Sequence, residues 1–130
     1  MIVVDSSAVV AILLGEPDAT ALAAILDQNP GAAMAAANYL ETSLVIEGRY
    51  PKTGAQAFNA FFATASIDIV PVDREIAERA REAFRAYGKG RHKAGLNFGD
   101  CIAYATAKLR GVPLLAKGGD FHHTDVTLAA

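Results

Sequence analysis

The sequence predicts an α/β protein in which a mostly parallel β-sheet of about five strands is covered by helices on both faces. Short apolar runs alternate along the chain with longer segments whose apolar residues recur every three or four positions, and this alternation is typical of a three-layer α/β/α fold. The 130 residues are 52% hydrophobic and 20% charged, which favours a compact globule over disorder. We therefore expect residues 1–130 to form a single domain.

The first quarter of the chain predicts one strand and two helices. Residues 2–4 form an Ile-Val-Val strand, and residues 6–14 form a helix that ends near Gly15, since glycine favours helix ends. Asp18 is expected to cap a second helix through its side-chain oxygen. The sequence Asn29-Pro30-Gly31 then predicts a turn.

The middle of the chain repeats this alternation. Residues 32–37 are interpreted as a second strand, although alanine is a poor strand former. A helix from Asn38 to about Arg49 follows, and a further helix presents phenylalanines at core-facing spacing. Ile67–Val70 is the third predicted strand, and it ends at Pro71.

The last part of the chain predicts two longer helices and two strands. Asp73 begins an amphipathic helix that ends at the glycines after Tyr87, and Asn97 or Gly99 begins another. Residues 112–116 form the fourth predicted strand, and residues 126–128 a weak fifth.

Bulk composition does not point to a nucleic-acid partner, because the net charge is only −2. The distribution of cations is more informative, since 10 of the 12 Lys and Arg residues lie in the segment 74–117. A cluster of four of them contains no acid and consists of Arg85, Lys89, Arg91 and Lys93. This cluster is either a solvated helix end or a strip that contacts phosphates.

The cysteine content and the hydropathy of the chain indicate where the protein is located. The single cysteine, Cys101, excludes an internal disulfide and a cysteine-based zinc site. No apolar stretch reaches the length of a membrane span, and Asp5 stands where a secretory signal carries basic residues. We therefore expect a soluble, cytoplasmic protein with no membrane partner.

Four acids stand at positions that this fold would bring together. Asp5 follows the first strand, Glu41 lies shortly after the second, and Asp120 lies in the loop after the fourth. Asp100 lies in the first turn of the helix that precedes the fourth strand. Because parallel strands direct their carboxyl ends to one edge of the sheet, we expect the four carboxylates to converge there.

Each acid taken alone has a simpler interpretation. Asp5 can cap the first helix, Glu41 can form a capping box with Asn38, and Asp100 can cap through Asn97. Asp120, in a glycine-rich loop, can be a turn residue.

Taken together, the four acids indicate a metal site. Two carboxylates about 4 Å apart repel by roughly 4 kcal/mol at an effective dielectric near 20, so a cluster needs protons or a cation. Oxygen ligands without His or Cys at ligand spacing favour Mg²⁺, with Mn²⁺ as the other possibility. Such an ion activates water for phosphodiester hydrolysis.

Four segments resemble those of the PIN-domain ribonucleases, and more closely the VapC-type toxins of type II toxin–antitoxin systems. These segments are IVVDSSAVVAILLGEP, NYLETSLVI, NFGDCIAYATAKLRGVPLLAKGGDF and HHTDV. The resemblance implies that Asp5 and Asp100 bind the metal directly, whereas Glu41 and Asp120 bind it directly or through water. It also implies a supporting role for Ser7.

The resemblance further implies the fold and the biology. The sheet order would be 3-2-1-4-5. The activity would be that of a Mg²⁺-dependent endoribonuclease that inhibits translation by cleaving RNA such as tRNA or rRNA. The partners would be a VapB-type antitoxin and a second copy of the chain in a homodimer.

Two other functions remain open. One is a non-catalytic RNA- or protein-binding module on the same fold. The other is a Mg²⁺-dependent phosphatase, which is disfavoured because Ser7 stands where such enzymes carry a second Asp. The sequence does not assign the residues after Asp120. His122 and His123 are either a surface pair or contacts to RNA phosphates, and Asp125 is either a turn residue or an outer-shell carboxylate of the metal site.

Overall fold

The structure is a computed structural model that describes residues 1–130. Its strands are β1 (Val3–Val4), β2 (Ala32–Ala35), β3 (Ile67–Val70) and β4 (Leu114–Leu115). Its helices are α1 (Ser6–Leu13), α2 (Ala19–Asp27), α3 (Ala36–Arg49), α4 (Gly54–Thr64), α5 (Arg74–Tyr87) and α6 (Phe98–Arg110), followed by a short 3₁₀ helix (Asp120–His123). The predicted three-layer α/β class is confirmed.

The four strands form one parallel sheet in the order β3-β2-β1-β4. Val3 pairs with Ala33 on one side and with Leu114 on the other, so β1 lies at the centre. All carboxyl ends therefore point to the same edge, which is where loops and helix starts collect functional groups in such sheets.

Strands β1, β2 and β4 are buried on both faces, because successive side chains point to opposite sides and both sides are covered, whereas β3 at the sheet edge is partly exposed. Val3 and Leu114 pack into a core under α5 and α6. Val4, Met34 and Leu115 pack into a second core under α1, α2 and α4. This division accounts for the continuous apolar runs in the sequence, which are typical of strands buried on both faces.

The strand count differs slightly from the expected five. The segment at residues 126–128 contributes only an isolated parallel bridge between Leu114 and Leu128. The fourth strand is also shorter than expected, at two residues. The order 3-2-1-4 is the one expected, and Leu128 lies beside β4 where the fifth strand would be.

Helix starts follow the expected capping residues in part. Asp73 accepts a hydrogen bond from the backbone N–H of Ile76 at 2.9 Å and so begins α5. Asp18 forms no side-chain cap on α2, contrary to expectation, because its carboxylate instead binds the ammonium group of Lys117 at 3.2 Å.

No helix combines the length and the apolar character needed to cross a membrane.

Candidate active site

Asp5 lies at the end of β1 and is almost fully buried, with 2% of its surface exposed. It is the N-cap of α1, where its Oδ2 accepts a hydrogen bond of 3.0 Å from the backbone N–H of Ser7. Its Oδ1 has no hydrogen-bond partner. A buried carboxylate oxygen without a partner is costly, so capping explains only half of this side chain.

Glu41 projects from α3 toward the same edge of the sheet. Its Oε1 accepts hydrogen bonds from the hydroxyl of Ser6 at 2.6 Å and from the amide of Asn38 at 3.4 Å. Gly99 lets the carboxylate approach α6, because a Cβ at that position would lie 2.5 Å from Oε1. Glu41 thus joins α1, α3 and the start of α6.

Asp100 lies in the first turn of α6 and forms a complete capping box with Asn97. Its backbone N–H donates to Oδ1 of Asn97 at 2.9 Å, and its Oδ2 accepts from the backbone N–H of Asn97 at 3.1 Å. The capping interpretation is therefore correct for Asp100. It uses one carboxylate oxygen and leaves the other available.

Asp120 is exposed and begins the 3₁₀ helix after the fourth strand. The loop that carries it is fastened to α1, because the backbone N–H of Lys117 donates to the hydroxyl of Ser7 at 2.9 Å. The Lys117 ammonium group also binds Glu16 at 2.5 Å and Asp18 at 3.2 Å. Ser7 therefore supports the loop that carries Asp120.

The acids influence one another electrostatically. The pKa of Asp5 is raised to about 7, chiefly by burial and in the same direction by the charges of Asp100 and Glu41. Burial also raises the pKa of Asp100, as do the charges of Asp120 and Glu41. The four sequence-predicted acids thus lie in one electrostatic neighbourhood, in which the charged forms are disfavoured.

The donor set fits a hard cation in part. The unpartnered Oδ1 of Asp5 and the raised pKa values of Asp5 and Asp100 fit side chains that hold a cation. However, no three His, Cys, Asp or Glu side chains are arranged as a ligand set. Glu41 is held by Ser6 and Asn38, and Asp100 is held by its capping box. Asp5 therefore provides the strongest indication of a cation site.

Asn38 and Ser6 contribute to the site through contacts that the sequence did not predict. Asn38 is fully buried, and its amide also donates to the backbone carbonyl of Gly99 at 3.1 Å, while its Oδ1 has no partner. The expected capping box between Asn38 and Glu41 is wrong, because α3 begins two residues earlier, at Ala36. The hydrogen bond from Ser6 to Glu41 was not predicted, because it joins α1 to α3 across 35 residues of the chain.

The basic cluster lies beside this edge, on the end of α5 and the loop before α6. All four of its side chains, Arg85, Lys89, Arg91 and Lys93, are in exposed residues. His92 lies in the same loop but is only partly exposed. Its Nδ1 accepts from the backbone N–H of Ala94 at 3.0 Å, and its ring packs edge-on against Tyr87.

The C-terminal candidates take different positions. His122 and His123 are exposed residues of the 3₁₀ helix. Asp125 accepts hydrogen bonds from the hydroxyl of Tyr104 and from the ammonium group of Lys108, the latter at 3.2 Å. These bonds give Asp125 a structural role in joining the C-terminal segment to α6.

The fold and the acidic edge define the class of protein. The PIN domain family model matches residues 2–126, which is nearly the whole chain. The chain therefore belongs to the PIN domain family.

Relatives in this family narrow the class to the VapC ribonucleases. The chain is 48% identical over 128 residues to VapC ribonuclease Mb0640 of Mycobacterium bovis, with 98% of each chain covered. It is 50% identical over 124 residues to Ribonuclease VapC of Mycolicibacterium smegmatis, covering 95% of this chain and 96% of that one. The resemblance to VapC-type toxins is confirmed by this similarity.

Solved structures share the fold at lower identity. Mycobacterium tuberculosis VapC20, a Sarcin-Ricin loop cleaving toxin, has a TM-score of 0.78 at 20% identity and covers 98% of this chain and 97% of its own. FitAcB of Neisseria gonorrhoeae has a TM-score of 0.73 at 20% identity, with 98% and 96% covered. At these identities the likeness concerns the fold alone.

Proposed function

We propose that the protein is a Mg²⁺-dependent endoribonuclease toxin whose acidic edge hydrolyses RNA and thereby inhibits translation. The observation that carries the proposal is Asp5, a buried carboxylate with one oxygen unpartnered beside other acids. The divalent metal is supported by the family, since PIN-domain VapC nucleases generally depend on one. Mn²⁺ is the alternative ion.

The residues of this chain have distinct roles in the proposal. Asp5 and Asp100 would bind the ion, and Glu41 and Asp120 would complete the site directly or through water. When bound, the ion supplies a nucleophilic water and charge stabilisation at phosphorus. Ser6 and Asn38 orient Glu41, and Ser7 holds the loop that carries Asp120. These positioning contacts keep the acids at one edge.

The proposed partners of the protein are an antitoxin and RNA. The similar structures include a toxin–antitoxin complex from Klebsiella pneumoniae and a VapBC2 complex from Rickettsia felis, which supports a VapB-type antitoxin for this chain. The exposed cations of the basic cluster support an RNA substrate, with tRNA or rRNA as the expected class. A homodimer and a cytoplasmic location remain proposals from the family resemblance.

The decisive experiment compares RNA cleavage with Mg²⁺ and with EDTA for the wild type, Asp5→Asn and Asp100→Asn. Asp68→Asn on β3 is the matched control, because Asp68 is an exposed acid outside the acidic edge. We expect cleavage only with the metal and a loss of about 10³-fold or more in both site variants, equivalent to about 4 kcal/mol of activation free energy.

The non-catalytic binding module is the second candidate, and it is favoured by the absence of a three-residue ligand arrangement. It predicts RNA binding that survives EDTA, with no cleavage under either condition. Full cleavage by Asp5→Asn would instead exclude this acidic edge as the catalytic site. Hydrolysis of a phosphomonoester but not of RNA would favour a phosphatase.

A further inference from the structure

Lys117 joins three segments of the chain immediately before the loop that carries Asp120. Its backbone N–H donates to the hydroxyl of Ser7 at 2.9 Å, and its ammonium group binds Glu16 at 2.5 Å and Asp18 at 3.2 Å. No other ion pair of the protein joins residues so far apart in the sequence. Lys117 therefore links the end of β4 to α1 and to the connection between α1 and α2.

The loop from Gly118 to Asp120, called the glycine loop below, has little packing of its own. Gly118 has a φ of +99°, and a Cβ added to Gly118 or Gly119 would have no atom within 4 Å. Asp120 is exposed and takes part in no ion pair. The next residue, Phe121, is buried in the core under α5 and α6. The position of Asp120 thus depends on two anchors, Lys117 before it and Phe121 after it.

The anchored glycine loop keeps Asp120 beside the other acids. The backbone N–H of Asp5 donates to the carbonyl of Leu115 at 2.9 Å, so the chain approaches the loop next to Asp5. The charge of Asp120 also reaches Asp100, whose pKa it helps to raise. Since neighbouring carboxylates repel each other, an unanchored loop would carry Asp120 away from Asp100. An anchor is therefore needed to keep these acids together.

The charges around Lys117 favour an anchor over a contact to RNA. Two carboxylates, those of Glu16 and Asp18, surround one ammonium group, so the three side chains together carry a net negative charge and do not attract phosphate. The cations of the basic cluster, in contrast, form no ion pair. The Lys117 side chain is only 34% exposed, and partly buried pairs are screened less by salt than exposed ones.

We propose that Lys117 is a positioning residue, whose ammonium group, held by Glu16 and Asp18, fixes the start of the glycine loop and so keeps Asp120 within reach of the divalent ion. The inference rests on the proposed ribonuclease function and deepens it, because it names the residue through which Asp120 completes the site. Lys117 itself touches neither the ion nor the RNA. It orders the loop in advance, so that binding the ion costs less conformational entropy.

The first test measures the order of the glycine loop in EDTA, by NMR relaxation of the backbone amides of Gly118 and Gly119. We expect order parameters of about 0.85 in the wild type and below about 0.6 in Lys117→Met. Lys117→Arg keeps a cation that can bind both carboxylates and should restore the wild-type values. Lys108→Met is the matched control, because it breaks the similarly exposed pair of Lys108 and Asp125 in the last turn of α6, and it should not change the order of the two glycines.

The second test measures metal affinity. Mn²⁺ binding by calorimetry, without RNA, should weaken about tenfold in Lys117→Met and should be unchanged in Lys108→Met. The Mg²⁺ concentration for half-maximal cleavage should rise by the same factor, whereas KM for RNA at saturating Mg²⁺ should equal that of the wild type. A lysine that only stabilised the fold would change urea unfolding and would leave both metal measurements unchanged.

The third test asks whether Lys117 acts through the two acids. Glu16→Ala with Asp18→Ala should weaken Mn²⁺ binding as Lys117→Met does, and adding Lys117→Met to this double variant should have no further effect, because the three side chains act as a unit. If Lys117 instead contacts RNA, removing the two acids frees its ammonium group and should strengthen RNA binding in EDTA. Lys117→Met would then weaken RNA binding and flatten its salt dependence.

Two results would overturn the inference. Wild-type glycine order and wild-type Mn²⁺ affinity in Lys117→Met exclude the anchor, and the proposed function still stands if the wild type cleaves RNA with Mg²⁺. Stronger RNA binding after removal of Glu16 and Asp18, with weaker binding in Lys117→Met, assigns Lys117 to RNA. If Lys117→Met does not fold, the double variant at Glu16 and Asp18 provides the same measurements.

The proposed function can also fail by itself. A wild type that binds Mn²⁺ through a Lys117-dependent loop but cleaves no RNA would overturn the ribonuclease activity and support Lys117 as the positioning residue of a metal site. A wild type that neither binds Mn²⁺ nor cleaves RNA would overturn both.

Discussion

The two ends of α6 hold carboxylates in opposite electrostatic environments. At its N-terminus, Asp100 lies near Asp5 and Glu41 with no cationic side chain among their hydrogen-bond partners, and the pKa values of Asp5 and Asp100 are raised by burial. Farther along the helix, Asp125 is bound by Tyr104 and Lys108. The hydrogen bond from Tyr104 lowers the pKa of Asp125, and Lys108 adds to the effect.

This difference distinguishes a structural carboxylate from a functional one. The Tyr104 hydroxyl and a protein cation satisfy Asp125, so it stabilises the fold in its charged form. The acids at the N-terminus of α6 have no cationic side chain as a partner, so their charged forms destabilise the fold. A protein tolerates this cost when a ligand supplies the missing positive charge. The comparison predicts opposite responses to pH and substitution at the two ends.

The largest expected effect is on the pH dependence of stability in EDTA. Folded Asp5 keeps its proton up to a pH of about 7, whereas the unfolded chain releases it near 3.8. The folded state thus binds more protons in this window, and the free energy of unfolding falls as pH rises. The loss is about 1.4 kcal/mol per pH unit, up to about 4 kcal/mol.

Asp5→Asn should remove this decline and be more stable than the wild type above pH 7. Urea unfolding between pH 4 and pH 8 measures the effect, with Asp68→Asn as the control. A decline of equal slope in Asp5→Asn would place the origin of the pH dependence elsewhere.

A smaller effect of opposite sign is expected at the other end of α6. Tyr104→Phe removes the hydroxyl that donates to Asp125 and should cost about 1–2 kcal/mol of unfolding free energy. Because the pKa of Asp125 is lowered, its stabilisation is complete above the unfolded pKa and is lost only as pH falls through the folded pKa. The cost should therefore be constant from pH 5 to pH 8, and RNA cleavage should be unchanged.

The contrast between the two ends of α6 is wrong if Tyr104→Phe reduces the rate of RNA cleavage as well as the free energy of unfolding. Lys108→Ala, which removes the second partner of Asp125, is the companion variant. It should be milder, since Lys108 and Asp125 are partly exposed and exposed ion pairs contribute about 1 kcal/mol or less.

The smallest effect on stability is expected for Gly99→Ala. The added Cβ would lie 2.5 Å from Oε1 of Glu41, so the flexible end of Glu41 must move away from Ser6. The lost hydrogen bond and the better helix propensity of alanine nearly cancel, which leaves stability within about 1 kcal/mol of the wild type. Cleavage should nevertheless decrease, because Glu41 no longer faces the acidic edge.

Gly48→Ala is the matched control for this variant. Gly48 is an exposed position in α3, and a Cβ added there would have no atom within 4 Å. Alanine at this position should therefore stabilise the helix without changing cleavage. Unimpaired cleavage by Gly99→Ala would show that the position of Glu41 is unimportant.

Capping illustrates which local features were predictable. Asp73 caps α5, and Asp100 forms a capping box with Asn97 at the start of α6, as the sequence predicted, since capping depends on residues only two or three positions apart. Asp18 and Asn38 do not. The distant Lys117 binds Asp18, and the early start of α3 moves Asn38 inside the helix.

The sequence by itself determined the parallel α/β class, the burial of both sheet faces and the positions of four acids after strands or at helix starts. These features follow from the spacing of apolar residues within short segments and from the common direction of parallel strands, so they depend only on local sequence. Only the tertiary structure decided that Ser6 and Asn38 hold Glu41, that Asp5 keeps one oxygen unpartnered and that Asp125 is satisfied by α6. Such contacts join segments far apart in the chain, and hydrogen bonding and desolvation depend on distances that no local pattern records.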